Sequence, residues 1–371
     1  MQVTVLSHPI QRMQTVPKRH SLFDIAIPFM SRTAGFGLAA LLVMAISVSA
    51  NSQLANVQEW VRLSPKTHPS SRFGMLTAFE ASNRTVVLYG GLNANDQLSD
   101  TWVWNGKNWT QQHPKNNPGP ASQQGGMACE EAEGKVVLVK PAADDKMATW
   151  VWDGENWTQE HPKNSPPVRL GAAMAYNAIN GTVVMFGGFD SHGNLSETWL
   201  WNGTNWTEEH PQDSPPARYF HAMASDGSNA VILFGGQGKD QEELSDTWVW
   251  NGDNWLEKHP KDRPSARVFS AMAFDPRLGV AVLFGGEDYS NTVVGDTWLW
   301  DGTNWTKGPS ADSPSPRLYS SLAYNAGTDD LVLFGGEGNN GLSGLSDTWT
   351  WPQYAAMPID ATDTDSATQE E

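Results

Sequence analysis

Short apolar stretches and polar turns alternate along most of this chain, and the alternation repeats about every fifty residues. The phrase Asp100-Thr101-Trp102-Val103-Trp104-Asn105-Gly106-Lys107-Asn108-Trp109 returns with tryptophan pairs at Trp150/Trp152, Trp199/Trp201, Trp248/Trp250, Trp298/Trp300 and Trp349/Trp351. Successive first tryptophans lie 48, 49, 49, 50 and 51 residues apart. Each unit predicts four short strands. The first is small and apolar, as in Ala172-Ala173-Met174-Ala175-Tyr176. The second is β-branched and aromatic, as in Val183-Val184-Met185-Phe186, and ends on a glycine pair that frees the backbone. The third is Thr-Trp-x-Trp, where the two-residue period of a strand puts both indoles on one face. The fourth begins at Trp109, Trp157, Trp206, Trp255 or Trp305. Asn-Gly or Asp-Gly separates the third from the fourth five times, the strongest short hairpin signal because both residues tolerate positive φ. The His-Pro and Pro-Pro segments that follow cannot donate to a ladder and form the crossing to the next unit.

Four antiparallel strands repeated about six times make an all-β propeller. The ends of the repeat set the count. The sixth unit stops at Trp351-Pro352 without its fourth strand, and Glu59-Trp60-Val61-Arg62-Leu63 is an orphan fourth-strand phrase. The N-terminal strand is therefore expected to complete the last of six blades and remove both free edges. Residues 51–357 form the propeller in this reading, and residues 358–371 an acidic, disordered tail. Residues 1–50 read as a secretory signal. Arg12, Lys18, Arg19 and Arg32 precede the apolar run 35–46, then come the small residues Val48-Ser49-Ala50. The uncharged stretch of 18 residues from Thr33 to Ala50 is short for a membrane span, and an uncleaved anchor is the alternative. An exported protein, without stable membrane insertion once processed and monomeric, is expected.

A third recurring phrase places arginine ahead of the small apolar strand, at Arg72, Arg169, Arg218, Arg267 and Arg317. An acidic residue precedes Thr-Trp in the same blades: Asp100, Glu197, Asp246, Asp296 and Asp347. Blade 2 departs from the pattern, with Ser122 near the arginine position, Ala148 in the acidic one and Val139-Lys140-Pro141 instead of Gly-Gly. Arginine, apolar-Gly-Gly, Asp-Thr-Trp-x-Trp and a later tryptophan together resemble the kelch repeat, and in particular the kelch propellers grouped with the galactose oxidase central domain. The resemblance covers residues 57–354. It implies a six-bladed kelch-type β-propeller. The galactose oxidases use copper, two tyrosines (one linked to a cysteine) and two histidines. Here the only thiol, Cys129, falls in the inner strand of blade 2, so a copper oxidase is not expected.

Charge and composition narrow the partners. The chain carries 24 basic and 41 acidic side chains, and residues 51–371 alone carry 20 against 40. A polyanion needs basic charge to release its counterions, so a nucleic-acid partner is excluded. One cysteine rules out an internal disulfide framework. All 18 tryptophans belong to repeat positions, which makes them scaffold before they are sugar platforms.

The candidate binding residues lie at the channel mouth and on the loops after Gly-Gly, which share one face. Arg72, Arg169, Arg218, Arg267 and Arg317 could form an anion-binding ring, unless they pair with the acids of the same blades. Blade 2 has lost both partners together, as pairing requires, since losing one would strand a charge. His221 sits three residues after Arg218, where other blades have Met75, Ala172, Ser270 and Ser320. The variable loops add His192, Glu243, Asp288 and Tyr289, and binding residues favour such loops on a rigid scaffold. His113, His161, His210 and His259 fall on different blades, too scattered for one metal. No metal, no cofactor and no catalytic triad is expected. The expected function is a protein- or carbohydrate-binding scaffold. The alternative is a sugar epimerase or mutarotase resembling the exported, six-bladed N-acetylneuraminate epimerases, which would need an acid and a base beside a sugar ring.

Overall fold

The computed structural model describes residues 60–351, apart from 123–124, 143–144, 226–229, 311 and 340–343. The segments read as a signal (1–50) and an acidic tail (358–371) lie outside the described residues. Within these residues the chain is all β, its one helical element a 3-10 turn at Lys239–Gln241, and no helix is long and apolar enough to cross a membrane. The described residues form six four-stranded antiparallel sheets. Blade 3 is representative, with Ala173–Asn177, Thr182–Phe186, Thr198–Trp201 and Trp206–Glu209 running from the axis outward. The innermost strands of the six sheets neighbour one another in a closed cycle. In the sixth sheet the outer strand is Val61–Leu63, antiparallel to Thr348–Trp351 with Arg62 opposite Trp349.

Local chemistry explains each unit. At the hairpins, Asn105, Asp153, Asn202, Asn251 and Asp301 each accept from the backbone N–H groups two and three residues on, and a glycine of positive φ follows each. The asparagine before each outer tryptophan accepts a backbone N–H of the preceding crossing, as Asn108 does from Lys66 at 2.8 Å. The repeated Asn-Trp-Thr sequences are therefore scaffold features. Between blades, each outer tryptophan donates its indole N–H to the threonine of the previous blade's Thr-Trp: Trp157 to Thr101, Trp206 to Thr149, Trp255 to Thr198, Trp305 to Thr247 and Trp109 to Thr348. Trp60 supplies the sixth such bond, to Thr297 at 2.9 Å. Alanines Ala78, Ala128, Ala175, Ala224, Ala273 and Ala323 occupy one level of the six inner strands, buried, where small side chains let the strands converge.

Candidate functional site

The face that carries the arginines and the Gly-Gly loops is held by one repeated constellation. In blade 4, Arg218 donates from Nε to the Pro216 carbonyl (2.9 Å) and from Nη1 to the Gly235 carbonyl (2.9 Å). It then grips both oxygens of Asp246 at 2.6 Å each. Asp246 also accepts the Trp248 indole N–H at 2.7 Å. Burial would raise the Asp246 carboxyl, but Arg218 and Trp248 overcome that and hold it below the usual range. The same set recurs at Arg72–Asp100, Arg267–Asp296 and Arg317–Asp347, and with one carboxylate oxygen at Arg169–Glu197. Each arginine is at most 2% exposed. In blade 2, Ser122 is buried and meets Gln97 instead. Of the two readings of these arginines, an anion-binding ring or pairing within the blade, the contacts favour pairing. The five guanidiniums are consumed inside their own blades and shape the mouth without offering donors to a ligand.

Glycine is required where this constellation meets the next blade. The N–H of Gly286 donates to the Arg317 carbonyl, and a Cβ on Gly285, at φ 69°, would lie 2.5 Å from that same oxygen.

Two positions after each arginine the backbone turns left-handed. Blades 1 and 3 have glycine there, Gly74 at φ 62° and Gly171 at φ 68°. Blades 4, 5 and 6 have Phe220 at φ 55°, Phe269 at φ 61° and Tyr319 at φ 55°. That conformation lets backbone bonds run round the mouth, from Phe220 N to Gly171 O, Phe269 N to Phe220 O, Tyr319 N to Phe269 O and Gly74 N to Tyr319 O. A bulky side chain in this region costs about 1–3 kcal/mol, and three blades bear it.

The consequence is an aromatic cluster over the axis. Ring centroids lie 4.5 Å apart for Phe220 and Phe269, and 4.1 Å for Phe269 and Tyr319. Phe73 joins at 6.1 Å from Tyr319, and Tyr219 continues outward from Phe220 to Phe189 at 4.9 and 4.6 Å. Beneath the cluster is a cavity of about 180 Å³ lined by Met75, Ser270, Ser320 and His221 as well. His221 is 6% exposed, and neither ring nitrogen has a partner among the described residues. Burial, helped by Arg218, pushes its pKa down to about 3, so the imidazole is neutral.

This yields a pH prediction. The unfolded chain protonates His221 near 6.5 and the folded one near 3, so its contribution to stability is complete above 6.5 and fades as pH falls toward 3. His221→Ser, which installs the residue of blades 5 and 6, is expected to reduce the loss of stability between pH 7.5 and 5 by about 2 kcal/mol. Thermal unfolding at the two pH values measures it, and parallel wild-type and variant curves would refute it.

The loop residues spread around this centre. His192 is 89% exposed and Tyr289 74% exposed, both at loop tips away from the cavity lining. Asp288 caps its own turn through Ser290 and Thr292. Glu243 is half-buried with Oε2 unpartnered, and burial together with Glu287 and Asp288 raises it to about 7. Glu287 and Glu337 stand opposite Val268 and Leu318 in short ladders, one residue before Phe269 and Tyr319. Both are raised by burial first, and then by Asp288 for Glu287 and by Glu287 for Glu337. Sequence reasoning missed the aromatic cluster, and it read these two glutamates only as part of the variable loops. The available signal was glycine at two equivalent positions, which marks a left-handed site in the other blades.

Two further cavities exist. A groove of about 610 Å³ on the same face runs over Pro167, Val168, Leu170 and Phe189, with Asp145, Asp190 and His192 at its rim. At the opposite end of the axis a chamber of about 540 Å³ is lined by Met127, Met174, Met223 and Met272, with Cys129, Tyr176 and Tyr324. Burial and nearby Glu131 push the Cys129 thiol up, and no histidine lines the chamber, so a copper site of the galactose oxidase kind does not fit there. Among the described residues no group of three or more His, Cys, Asp or Glu side chains could hold a metal ion.

Comparison with known proteins agrees with this architecture. Residues 134–336 match the KLHDC2/KLHL20/DRC7 Kelch-repeats domain. No curated protein matches the sequence. Among solved structures, one titled "Structure of YjhT" aligns with a TM-score of 0.56 at 14% sequence identity, covering 77% of this chain and 96% of its own. At that identity the likeness speaks to the fold alone. With more than half of its length matched, and with the repeat built as the structure shows it, the chain belongs to the kelch-repeat β-propeller family.

Proposed function

We propose that this protein is an exported binding propeller that takes an extended partner chain across its loop face. One observation carries the reading: three blades accept left-handed strain to place Phe220, Phe269 and Tyr319 together over the axis. Strain kept at one equivalent position in three repeats points to use of that position. The aromatic strip continues through Tyr219 and Phe189 into the groove beside blade 2, which suits an elongated ligand. Export is supported by the order of basic, apolar and small residues before Asn51.

The test exploits the repeat itself. Phe269→Gly installs the residue that blades 1 and 3 use, and relief of strain offsets lost ring contacts, so stability should change by under about 2 kcal/mol. Binding to peptide and glycan arrays is expected to fall at least ten-fold in Phe269→Gly and to survive Cys129→Ser at the opposite end of the axis. Equal binding by Phe269→Gly would move the site elsewhere. The mutarotase alternative rests on Glu243, held near neutrality and so able to exchange protons at the mouth. Acceleration of sialic acid anomer exchange followed by NMR, and lost in Glu243→Gln, would favour it.

A further inference from the structure

The surroundings of the aromatic cluster are one-sided in charge. The loops after Gly-Gly in blades 3 to 6 carry seven carboxylates (Asp190, Asp240, Glu242, Glu243, Glu287, Asp288 and Glu337) against one lysine, Lys239. The arginines of the face do not offset them, because each is already neutralised by its own acid. The two halves of the mouth also differ. Phe73 faces Leu92 and Leu170 faces Phe189 in blades 1 and 3, whereas Val268 faces Glu287 and Leu318 faces Glu337 in blades 5 and 6. The floor supplies a second, independent indication of a ligand. His221, more than nine-tenths buried, and Ser320 both line the cavity that Phe220, Phe269 and Tyr319 share, and neither the His221 ring nitrogens nor the Ser320 hydroxyl has a partner among the described residues.

Resting on the loop-face reading above, we propose that the channel mouth is a socket for a lysine or arginine side chain of a basic partner segment. The aliphatic stem packs against Phe220, Phe269 and Tyr319, and the cationic end meets the ring faces and the carboxylates of Glu287 and Glu337. The apolar groove over Leu170 and Phe189 then holds the rest of the segment, with Asp145 and Asp190 at its rim. A bound cation also relieves the repulsion from Glu287 and Asp288 that adds to burial in raising the Glu243 carboxyl.

The experiment uses the full protein and dye-labelled octapeptides of one Gly-Ser frame carrying two lysines, two arginines, two alanines or two glutamates, read by fluorescence anisotropy. The lysine or arginine peptide is expected to bind at least ten-fold tighter than the alanine peptide, and the glutamate peptide weakest. Raising salt from 50 to 500 mM, chosen as roughly a three-fold shortening of the screening length, is expected to weaken the basic peptides and leave the alanine peptide unchanged. Phe269→Gly and the double variant Glu287→Gln/Glu337→Gln should each lower basic-peptide affinity about ten-fold, with thermal unfolding confirming that both are folded. Basic peptides that bind no better than alanine, or that bind both variants as well as the parent, overturn the socket. If a neutral or acidic array ligand is lost in Phe269→Gly while basic peptides are ignored, the socket fails and the loop-face reading stands. If no ligand of any kind responds to Phe269→Gly, both fall.

Discussion

Trp60→Ala is expected to destabilise the whole propeller as much as Trp305→Ala does, by about 3–5 kcal/mol, although Trp60 opens a strand of three residues near the start of the described chain. The two tryptophans occupy the same position in the repeat. Trp305 donates to Thr247 and Trp60 to Thr297, both at 2.9 Å, and both indoles are at most 2% exposed. Trp60 also packs edge-on against Phe284 of blade 5 and Trp351 of blade 6, at centroid distances of 5.3 and 5.0 Å. Truncating it opens a cavity between two blades and strands a threonine hydroxyl. Removing everything before Ser64 goes further, because Thr348–Trp351 becomes an open sheet edge. Calorimetry checks this. A drop in Tm of roughly 10 °C for each alanine variant is expected, with the truncation lower still. A Trp60→Ala protein that melts with the parent would mean that Val61–Leu63 adds no stability to the sixth blade.

The second large effect concerns the buried ion pairs. Arg218→Ala and Asp246→Ala are each expected to cost about 3–5 kcal/mol, and the double variant less than the two together. Removing Asp246 leaves a fully buried guanidinium with its Nη2 unbonded and the Trp248 N–H without its acceptor. Removing Arg218 leaves Asp246, which is 20% exposed and can turn to water, so its loss is a cavity and two freed carbonyls more than a stranded charge. The cycle should show a coupling of about 2 kcal/mol at this pair. It should be smaller at Arg169–Glu197, where one carboxylate oxygen is engaged and the acid is 34% exposed. Urea unfolding of the four proteins measures it. Strictly additive losses would show that the guanidinium is held by the Pro216 and Gly235 carbonyls and not by its acid.

Much of this was legible in the residues. Thr-Trp-x-Trp, Asn-Gly and apolar-Gly-Gly are short-range statements, satisfied by ladders and turns within about ten residues, so each blade's strands follow from its own phrase. The joint loss of arginine and acid in blade 2, as Ser122 and Ala148, exposed their pairing because a lone buried charge is not tolerated. The orphan Trp60-Val61-Arg62-Leu63 matched the strand missing after Trp351 for the same reason, since an unpaired edge leaves backbone donors and acceptors unsatisfied.

The contents of the axis were not legible. Phe220, Phe269 and Tyr319 are each some fifty residues apart and read as ordinary strand-entry residues, yet rotation about the axis makes equivalent positions of different blades neighbours. Whether such a position meets its counterparts depends on a left-handed φ and on the small alanines that let the blades converge. The same convergence buried His221 without a partner among the described residues and brought Glu337 within electrostatic reach of Glu287. By itself the sequence determined the strands, their order and the charges that must pair, because those depend on neighbours along the chain or within one blade. Only the tertiary structure decided which residues meet at the mouth, because that depends on how six separate blades superpose around one axis.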